Sequence, residues 1–357
     1  MRWFRLIGLL AAAAAYVTLQ APGPAGAQPA VAFLAADSGL GYTQEMTSGF
    51  GAGVERVGGV WHDESGTEVG DTAQQFRTLQ DLRRTHPGGL SVFTQSPELL
   101  ADALAQTVES GTPVVAVDSA PAVGSEVPLY VGANNYLLGT MLAGLAAARL
   151  PASTQGDVVL GTSVPGSGGL DLRVAGLRDE LHRRLPQVRV LGPFDTKQDP
   201  TANRDAWRVL VEANPRALAF LGSGDADAYN LAEIRVRTHG LWVAGGFSLD
   251  RRALFAVRSG SLVLVSPEPY LQGMVAGMLE AEHAKYGLPL PRGWLVTPGL
   301  PITAANVDEI MVREESLGNR TRWFRLTVDA IVTGSGADLS PLDAAGCPSV
   351  DSQAGCE

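Results

Sequence analysis

The sequence predicts an α/β fold in which two lobes each contain a doubly wound parallel sheet. Short apolar runs rich in β-branched residues alternate with helix-like segments along most of the 357 residues, a length sufficient for two cores. The run from Pro113 to Val117 suits a parallel strand buried on both faces, and Asp118 and Ser119 follow at its carboxyl end. The strand–helix alternation restarts at Asn134, which predicts that the chain crosses between the lobes near Ala133.

The amino terminus has the pattern of a cleaved secretory signal peptide over residues 1–27. Arg2 and Arg5 precede an apolar run from Leu6 to Val17, and Ala25-Gly26-Ala27 offers small residues for cleavage. The apolar run is shorter than the roughly 20 residues that span a bilayer, so cleavage is favoured over anchoring. The expected location of the mature protein is therefore the periplasm.

The charge balance excludes two classes of partner. The formal net charge is −10, and it becomes −12 once Arg2 and Arg5 leave with the signal peptide. An acidic protein of this kind is not expected to bind nucleic acid or an anionic membrane surface.

The first lobe is predicted from an alternation of strands and helices that begins at Val31. Its predicted strands are Val31–Ala35, a weak strand Gly59–His62, Leu90–Phe93, Pro113–Val117 and Leu129–Val131, and its helices are Thr43–Val57, Thr72–Thr85 and Pro97–Ser110. A later helix, Tyr270–Lys285, and a final strand, Trp294–Thr297, are expected to return to this lobe. The first lobe is thus assigned residues 31–133 and 268–295.

The second lobe repeats the pattern over residues 134–267 and 296–312. Its predicted strands are Val158–Gly161, Val188–Leu191, Ala217–Leu221, Leu241–Ala244 and Leu262–Val265, and its helices are Tyr136–Arg149, Leu172–Leu185, Thr201–Asn214 and Ala226–Thr238. Residues 313–357 form a C-terminal extension, in which Trp323–Val332 is compatible with a helix or a strand. The segment from Gly334 onward is rich in Gly, Ser, Asp and Pro and is expected to be loosely ordered.

Polar residues recur where predicted strands end. The set comprises Asp37, Asp118, Arg173 at a helix start, Asp225 and Ser248. Carboxylates and an Arg fork are suited to a neutral ligand with several hydroxyl groups, and Tyr42 could cover the apolar face of a ring. For any single Asp the alternative is that it caps the next helix, but capping explains the pattern across both lobes less well.

No motif indicates catalysis, a cofactor or a metal. The five histidines are scattered without metal spacing, and no G-x-S-x-G elbow is present. The glycine-rich run Gly166–Gly169 lacks the Lys-Ser/Thr ending of a phosphate-binding loop, so it is interpreted as a flexible loop before a helix.

Two cysteines, Cys347 and Cys356, lie close together in the extension. They could be free thiols, but export favours a disulfide that closes a short loop. Such a bond is predicted to fasten the extension and to be irrelevant to ligand binding.

Several segments resemble class I periplasmic binding proteins of the ribose and galactose type. Gly111–Ser119 reads GTPVVAVDS, Val131–Asn135 is similar to the first hinge crossing of that family, and Val243–Phe247 resembles a conserved strand. Arg173 is followed by Gly176, as in the family's arginine near a helix start. The resemblance extends over residues 31–312.

The resemblance implies a fold of two lobes that are joined by three crossings and close over a ligand. The positions that correspond to ligand contacts, with Asp37 added from the strand ends and Asn134 from the hinge crossing, are Ala36, Asp37, Leu40, Tyr42, Thr43, Asp118, Ser119, Asn134, Arg173, Asp225, Ser248 and one of Pro267 or Glu268. Asp118 and Arg173 are the expected anchors, one from each lobe. Ser119 stands where ribose binders carry Arg, and Ser248 stands where the family usually has Asp, so the ligand class is left at a sugar or a polyol.

Three functions follow in order of preference. The first is an exported, monomeric, non-catalytic solute-binding protein that delivers a small polar ligand to an ABC-type permease. The second keeps the fold but docks on a membrane sensor kinase. The third is an exported α/β enzyme in which Asp118 and Arg173 would serve as an acid/base pair.

Overall fold

Two parallel-dominated sheets organise the chain, as seen in a computed structural model that describes residues 28–85, 88–335 and 339–353. The predicted signal peptide, residues 1–27, lies outside the described residues. The strands are β1 (Ala30–Ala35), β2 (Trp61–Gly66), β3 (Leu90–Phe93), β4 (Val114–Val117), β5 (Leu129–Ala133), β6 (Gly156–Thr162), β7 (Val188–Asp195), β8 (Ala219–Gly222), β9 (Val243–Phe247), β10 (Val263–Ser266), β11 (Gly293–Thr297) and β12 (Leu300–Ile302). The helices are α1 (Gly41–Val57), α2 (Thr72–Thr85), α3 (Pro97–Glu109), α4 (Asn135–Ala147), α5 (Gly168–Arg184), α6 (Pro200–Ala213), α7 (Asp225–Arg237), α8 (Arg251–Arg258), α9 (Pro269–Tyr286), α10 (Val307–Glu314) and α11 (Leu317–Gly334).

Each sheet forms the centre of one lobe. The first has the strand order β11-β5-β4-β3-β1-β2 and is parallel throughout, and the second has the order β12-β10-β9-β8-β6-β7, with β12 antiparallel to β10. The central strands β3 and β4 are buried along their whole length, which is why β4 is a continuous apolar run and β3 is apolar except at Ser91. The fold class predicted from the sequence is therefore confirmed.

Three crossings join the sheets. The chain passes from β5 to α4 after Ala133, from β10 to α9 between Ser266 and Pro269, and from β11 to β12 between Thr297 and Leu300. A further passage follows, because α10 packs in the core of the second lobe and α11 in that of the first. The boundaries assigned from the sequence, residues 31–133 with 268–295 for the first lobe and 134–267 with 296–312 for the second, remain a prediction.

Short or polar elements account for the differences from the sequence prediction. The weak strand predicted at Gly59–His62 lies at Trp61–Gly66 as β2, an edge strand that is mostly exposed and therefore lacks an apolar pattern. β12, of three residues, was not predicted because it is short. The stretch Trp323–Val332, left open between helix and strand, lies in α11, where Phe324, Val328 and Val332 face the first core at helical spacing.

A buried ion pair fastens the hinge. The Arg313 Nη1 donates to Glu268 Oε2 at 2.8 Å, and the two side chains are 0% and 4% exposed. Glu268 lies at the second crossing and Arg313 near the end of α10, where Glu314 also accepts from its Nε. The ion pair therefore ties two connections between the lobes together.

Each lobe contains one helix pair that approaches closely through glycines. In the first lobe α1 contacts α9, and a Cβ added to Gly277 would collide with the carbonyl oxygen of Phe50. In the second lobe α4 contacts α5, and a Cβ added to Gly139 would collide with the carbonyl oxygen of Arg173. The α4–α5 contact thus sets the position of Arg173.

We expect Gly139→Ala to destabilise the fold by about 1–3 kcal/mol, because the helices must separate to admit the methyl group. It should also weaken ligand binding, since the displaced backbone carries Arg173. Gly277→Ala is the matched control and should cost similar stability while changing affinity less. Thermal unfolding and titration calorimetry on both variants measure the two effects, and equal affinity losses would contradict this interpretation.

The C-terminal segment is better ordered than its composition suggests. The Trp294 backbone N–H donates to the Ser340 carbonyl at 2.7 Å, and the Ser340 N–H returns a bond at 3.2 Å. A 3₁₀ turn over Asp343–Gly346 follows and buries Ala344 against the first lobe. Backbone pairing and a few separate apolar side chains, Leu339, Leu342, Ala344 and Ala345, provide this order, and neither leaves a strong hydropathy signal. Cys347 is disulfide-bonded, and its predicted partner Cys356 lies outside the described residues.

Candidate functional site

A cavity of about 330 Å³ lies between the two lobes, at the carboxyl ends of their strands. This is the edge of a doubly wound sheet at which ligands bind, and the volume is that of a small-molecule site. Both lobes contribute polar side chains. They include Tyr42, Thr43, Thr94, Gln95, Asp118 and Ser119 from the first lobe and Asn135, Ser163, Arg173, Gln198, Asp225 and Tyr229 from the second.

Asp118 is held at the end of β4 by its neighbours. Its backbone adopts a left-handed conformation with φ of 63°, which Asp tolerates better than most residues and which turns the chain sharply beyond the buried strand. The Tyr130 hydroxyl donates to the Asp118 carbonyl at 2.7 Å, and the Tyr42 hydroxyl donates to the Asp118 Oδ1. The carboxylate is therefore positioned at the cavity wall.

Arg173 reaches the cavity from α5 in the opposite lobe. Its Nε donates to Asn135 Oδ1 at 2.7 Å and its Nη1 donates to the Ser223 carbonyl at 3.1 Å. The guanidinium carbon lies 4.8 Å from the centre of the Phe247 ring. A guanidinium has five N–H donors in a fixed fork, so donors remain for a ligand after these two bonds.

The two anchors interact electrostatically. Burial raises the pKa of Asp118, and the positive charge of Arg173 and the hydrogen bond from Tyr42 oppose that rise. Burial and the negative charge of Asp118 raise the pKa of Tyr42 well above its usual value, so the phenol stays a hydrogen-bond donor. The site thus pairs a carboxylate acceptor from one lobe with a guanidinium donor from the other.

Asp225 supplies a second carboxylate, at the start of α7. The Ser248 hydroxyl donates to Asp225 Oδ1 at 2.7 Å. Burial raises the pKa of Asp225 from its ordinary value of 3.8 to about 6, although this hydrogen bond opposes the shift.

The raised pKa of Asp225 predicts a pH-dependent stability difference. Between pH 3.8 and about 6 the Asp225 carboxyl group is protonated to a greater extent in the folded protein than in the unfolded chain. The stability that this bound proton contributes is therefore lost as the pH rises through that window. Asp225→Asn mimics the protonated state and should raise the unfolding temperature relative to the wild type at pH 8 more than at pH 4.5. Thermal unfolding without ligand at both pH values tests this, and an equal offset at the two pH values would contradict it.

Two hydrogen bonds join the lobes beside the cavity. Gln198 Nε2 donates to Asp37 Oδ2 at 2.7 Å, and Ser167 Oγ donates to Gln95 Oε1 at 3.2 Å. Asp37 and Gln95 belong to the first lobe, and Gln198 and Ser167 to the second. The lobes are therefore in contact beside the cavity, and opening along this side would break both bonds.

A second cavity of about 560 Å³ adjoins the first. Leu40, Tyr42, Asp225 and Tyr229 line both cavities. Burial and the negative charge of Glu314 raise the pKa of Glu45 at its edge well above the usual range.

The structure brings seven of the predicted residues to the first cavity. These are Leu40, Tyr42, Thr43, Asp118, Ser119, Arg173 and Asp225. Ser248 lines the second cavity and orients Asp225.

The side chains of the other four predicted residues make contacts within the protein and do not line either cavity. Ala36 packs in the first core, and Asp37 bridges the lobes through Gln198. Asn134 caps α4 by accepting from the Leu137 N–H, and its Nδ2 donates to the Ser349 carbonyl. Of the alternatives Pro267 and Glu268, Glu268 forms an ion pair with Arg313, and Pro267 lines the second cavity.

Some cavity residues were missed by the sequence analysis. Thr94 and Gln95 follow β3, and Ser163 follows β6, so the rule applied to Asp118 would have found them. Asn135 lies one residue beyond the predicted Asn134. Gln198 and Tyr229 carry no sequence signal, because only the tertiary fold brings them to the cleft.

Neither a metal cluster nor a membrane-spanning helix occurs in the part of the chain that the structure describes. No three His, Cys, Asp or Glu side chains there are grouped so that they could hold a metal ion. Within the same ranges, no helix combines the length and apolar character needed to cross a bilayer.

Comparisons with known proteins agree with this architecture. A family profile described as a periplasmic binding protein domain matches residues 31–287. No curated protein matches the chain. The solved structures that resemble it include a sugar ABC transporter sugar-binding protein from Bacillus halodurans, with a TM-score of 0.69 and 21% identity over 79% of this chain and 99% of that one.

Two further solved structures contain a bound sugar. One is a carbohydrate transporter solute-binding protein from Agrobacterium radiobacter in complex with D-arabinose, with a TM-score of 0.71 and 22% identity over 80% of this chain and 98% of that one. The other is an ABC transporter solute-binding protein from Agrobacterium vitis with D-fucose, with a TM-score of 0.72 and 17% identity over 81% and 99%.

The two-lobed fold with a polar cavity between the lobes defines a ligand-binding protein of the hinge-closing class. Because the profile matches most of its length, the chain belongs to the periplasmic binding protein family. It is therefore a binding protein and not an enzyme.

Proposed function

We propose that this protein captures a sugar between its lobes and delivers it to an ABC-type permease. The observation that carries the proposal is the pairing of Asp118 and Tyr42 from one lobe with Arg173 from the other around one cavity. The Asp118 carboxylate and the Arg173 guanidinium face one cavity only because the two lobes come together there.

The chemistry of the cavity fits a neutral polyhydroxyl ligand. A sugar hydroxyl donates to a carboxylate and accepts from a guanidinium, so Asp118 and Arg173 can hold different hydroxyls of one ring. Asp225 and Asn135 add further acceptors and donors on the second lobe. Tyr42 and Tyr229 offer aromatic surface for the C–H groups of the ring.

Relatives of known structure support a sugar as the ligand class. The proteins from Agrobacterium radiobacter and Agrobacterium vitis have this fold and contain D-arabinose and D-fucose. At identities of 22% and 17% they support the class of ligand and leave the individual sugar to experiment.

We propose that closure of the two lobes distinguishes the ligand-bound protein from the free protein. A ligand that contacts Asp118 and Arg173 together stabilises the closed arrangement only, and so shifts the population toward it. The closed form, exported to the periplasm through the predicted signal peptide and acting as a monomer, would then dock on the permease. A sensor kinase would use the same closed form.

A thermal-shift screen tests the proposed ligand class. We expect a pentose or hexose to raise the unfolding temperature, because a ligand at 100 times its Kd stabilises the fold by about 2.7 kcal/mol. The panel should contain sugars, polyols, amino acids and nucleosides, with calorimetry on each hit. Stabilisation by an amino acid or a nucleoside, and by no sugar or polyol, would overturn the proposal.

A further inference from the structure

The C-terminal segment borders the ligand cavity. Ala345 and Gly346, in the 3₁₀ turn after the last helix, line it together with Asp118 and Arg173. We infer that residues 343–349, which we call the C-terminal wall, form part of the binding site and limit the size of ligand that it accepts. The inference rests on the proposed function and adds a determinant of specificity to it.

The wall is attached to the first lobe. Paired backbone bonds hold Ser340 to Trp294 at the edge of the first sheet. Ala344 is 4% exposed and belongs to the same buried apolar cluster as Trp294 and Tyr130. Because the Tyr130 hydroxyl bonds the Asp118 carbonyl, the cluster that holds the wall also supports an anchor of the site.

The wall also contacts the hinge and the second lobe. Asn134 Nδ2 donates to the Ser349 carbonyl at 2.9 Å, next to the first crossing. The 3₁₀ turn also contacts α5, the helix that carries Arg173. The wall therefore lies across the cleft between fixed points and occupies space into which a longer ligand would extend.

Cys347 connects the wall to the redox state of the protein. It is 4% exposed, disulfide-bonded, and adjacent to Gly346 at the cavity. Breaking the disulfide should loosen the wall and weaken sugar binding. The expectation from sequence was that the bond has no role in binding, and the comparison of reduced and oxidised protein decides between the two.

The test is a substitution in the full-length protein that fills the cavity from the wall. Ala345→Phe should reduce the affinity for the sugar identified in the screen by about 10-fold, because a large side chain enters space that the ligand needs. Val350→Phe is the matched control, since Val350 is 56% exposed and does not border the cavity, and it should bind as the wild type does.

The outcomes separate this inference from the proposed function. If the wild type binds no sugar, the proposed function fails. If the wild type binds a sugar and Ala345→Phe binds it as tightly as Val350→Phe does, only the wall is overturned. Should Ala345→Phe not fold, calorimetry on the reduced wild type decides: weaker binding than in the oxidised protein supports the wall, and equal binding overturns it.

Discussion

Asp118→Asn is expected to weaken sugar binding by about 10- to 150-fold, or about 1.5–3 kcal/mol, while the fold is retained. The substitution removes the charged acceptor that Tyr42 and Arg173 surround. Asn is preferred to Ala because, like Asp, it tolerates the left-handed backbone at this position, so the local conformation should persist. Titration calorimetry with the sugar identified in the screen measures the loss.

The matched control is Asp81→Asn. Asp81 is an exposed partner of Arg84 on α2, outside the cavity, and its loss should leave affinity unchanged. Arg173→Gln in the opposite lobe should lose affinity to a similar degree as Asp118→Asn, because it removes charged donors from the same ligand. If both cleft variants bind as well as Asp81→Asn does, the proposed site is wrong.

Arg313→Leu is expected to destabilise the protein by about 3–5 kcal/mol, because it leaves the buried Glu268 carboxylate without its charge partner. Both side chains are almost fully buried, so water cannot replace the lost bonds. Denaturant unfolding of the ligand-free protein measures the loss. Adding Glu268→Leu to the variant should recover part of the stability, since an apolar pair avoids the isolated charge.

The loss of stability in Arg313→Leu should be compared with the loss in Arg56→Leu, which breaks an exposed ion pair. Arg56 bonds Asp329 at 2.6 Å, but their side chains are 29% and 40% exposed, and such a pair contributes about 0–1 kcal/mol. A loss in Arg313→Leu no larger than in Arg56→Leu would show that the buried pair does not fasten the hinge.

The fold was predictable because its signals are local. The runs at β4 and β10 are apolar because both faces of a parallel sheet are covered, and this pattern marks the strands directly. The exposed strand β2 and the short β12 depend on pairing with their neighbours, so their sequences carried weaker signals or none.

The site was predictable in part for a similar reason. Asp118 and Asp225 directly follow or lie close behind strands, so the topology of a doubly wound sheet brings them to one cleft. Glu268 has the same kind of position after β10, yet it is buried against Arg313 from α10, a pairing between residues 45 apart in the chain. Gln198, Tyr229 and Ala345 reach the cavity only through packing between lobes and the C-terminal wall.

One sugar molecule is proposed to contact both lobes at the same time. The most direct test of this shared contact is a crystal structure of the protein with the sugar that raises its unfolding temperature most. The sugar hydroxyls should lie within hydrogen-bond distance of Asp118 in one lobe and of Arg173 in the other. A sugar that is bound to one lobe alone, or outside the cleft, would contradict the account.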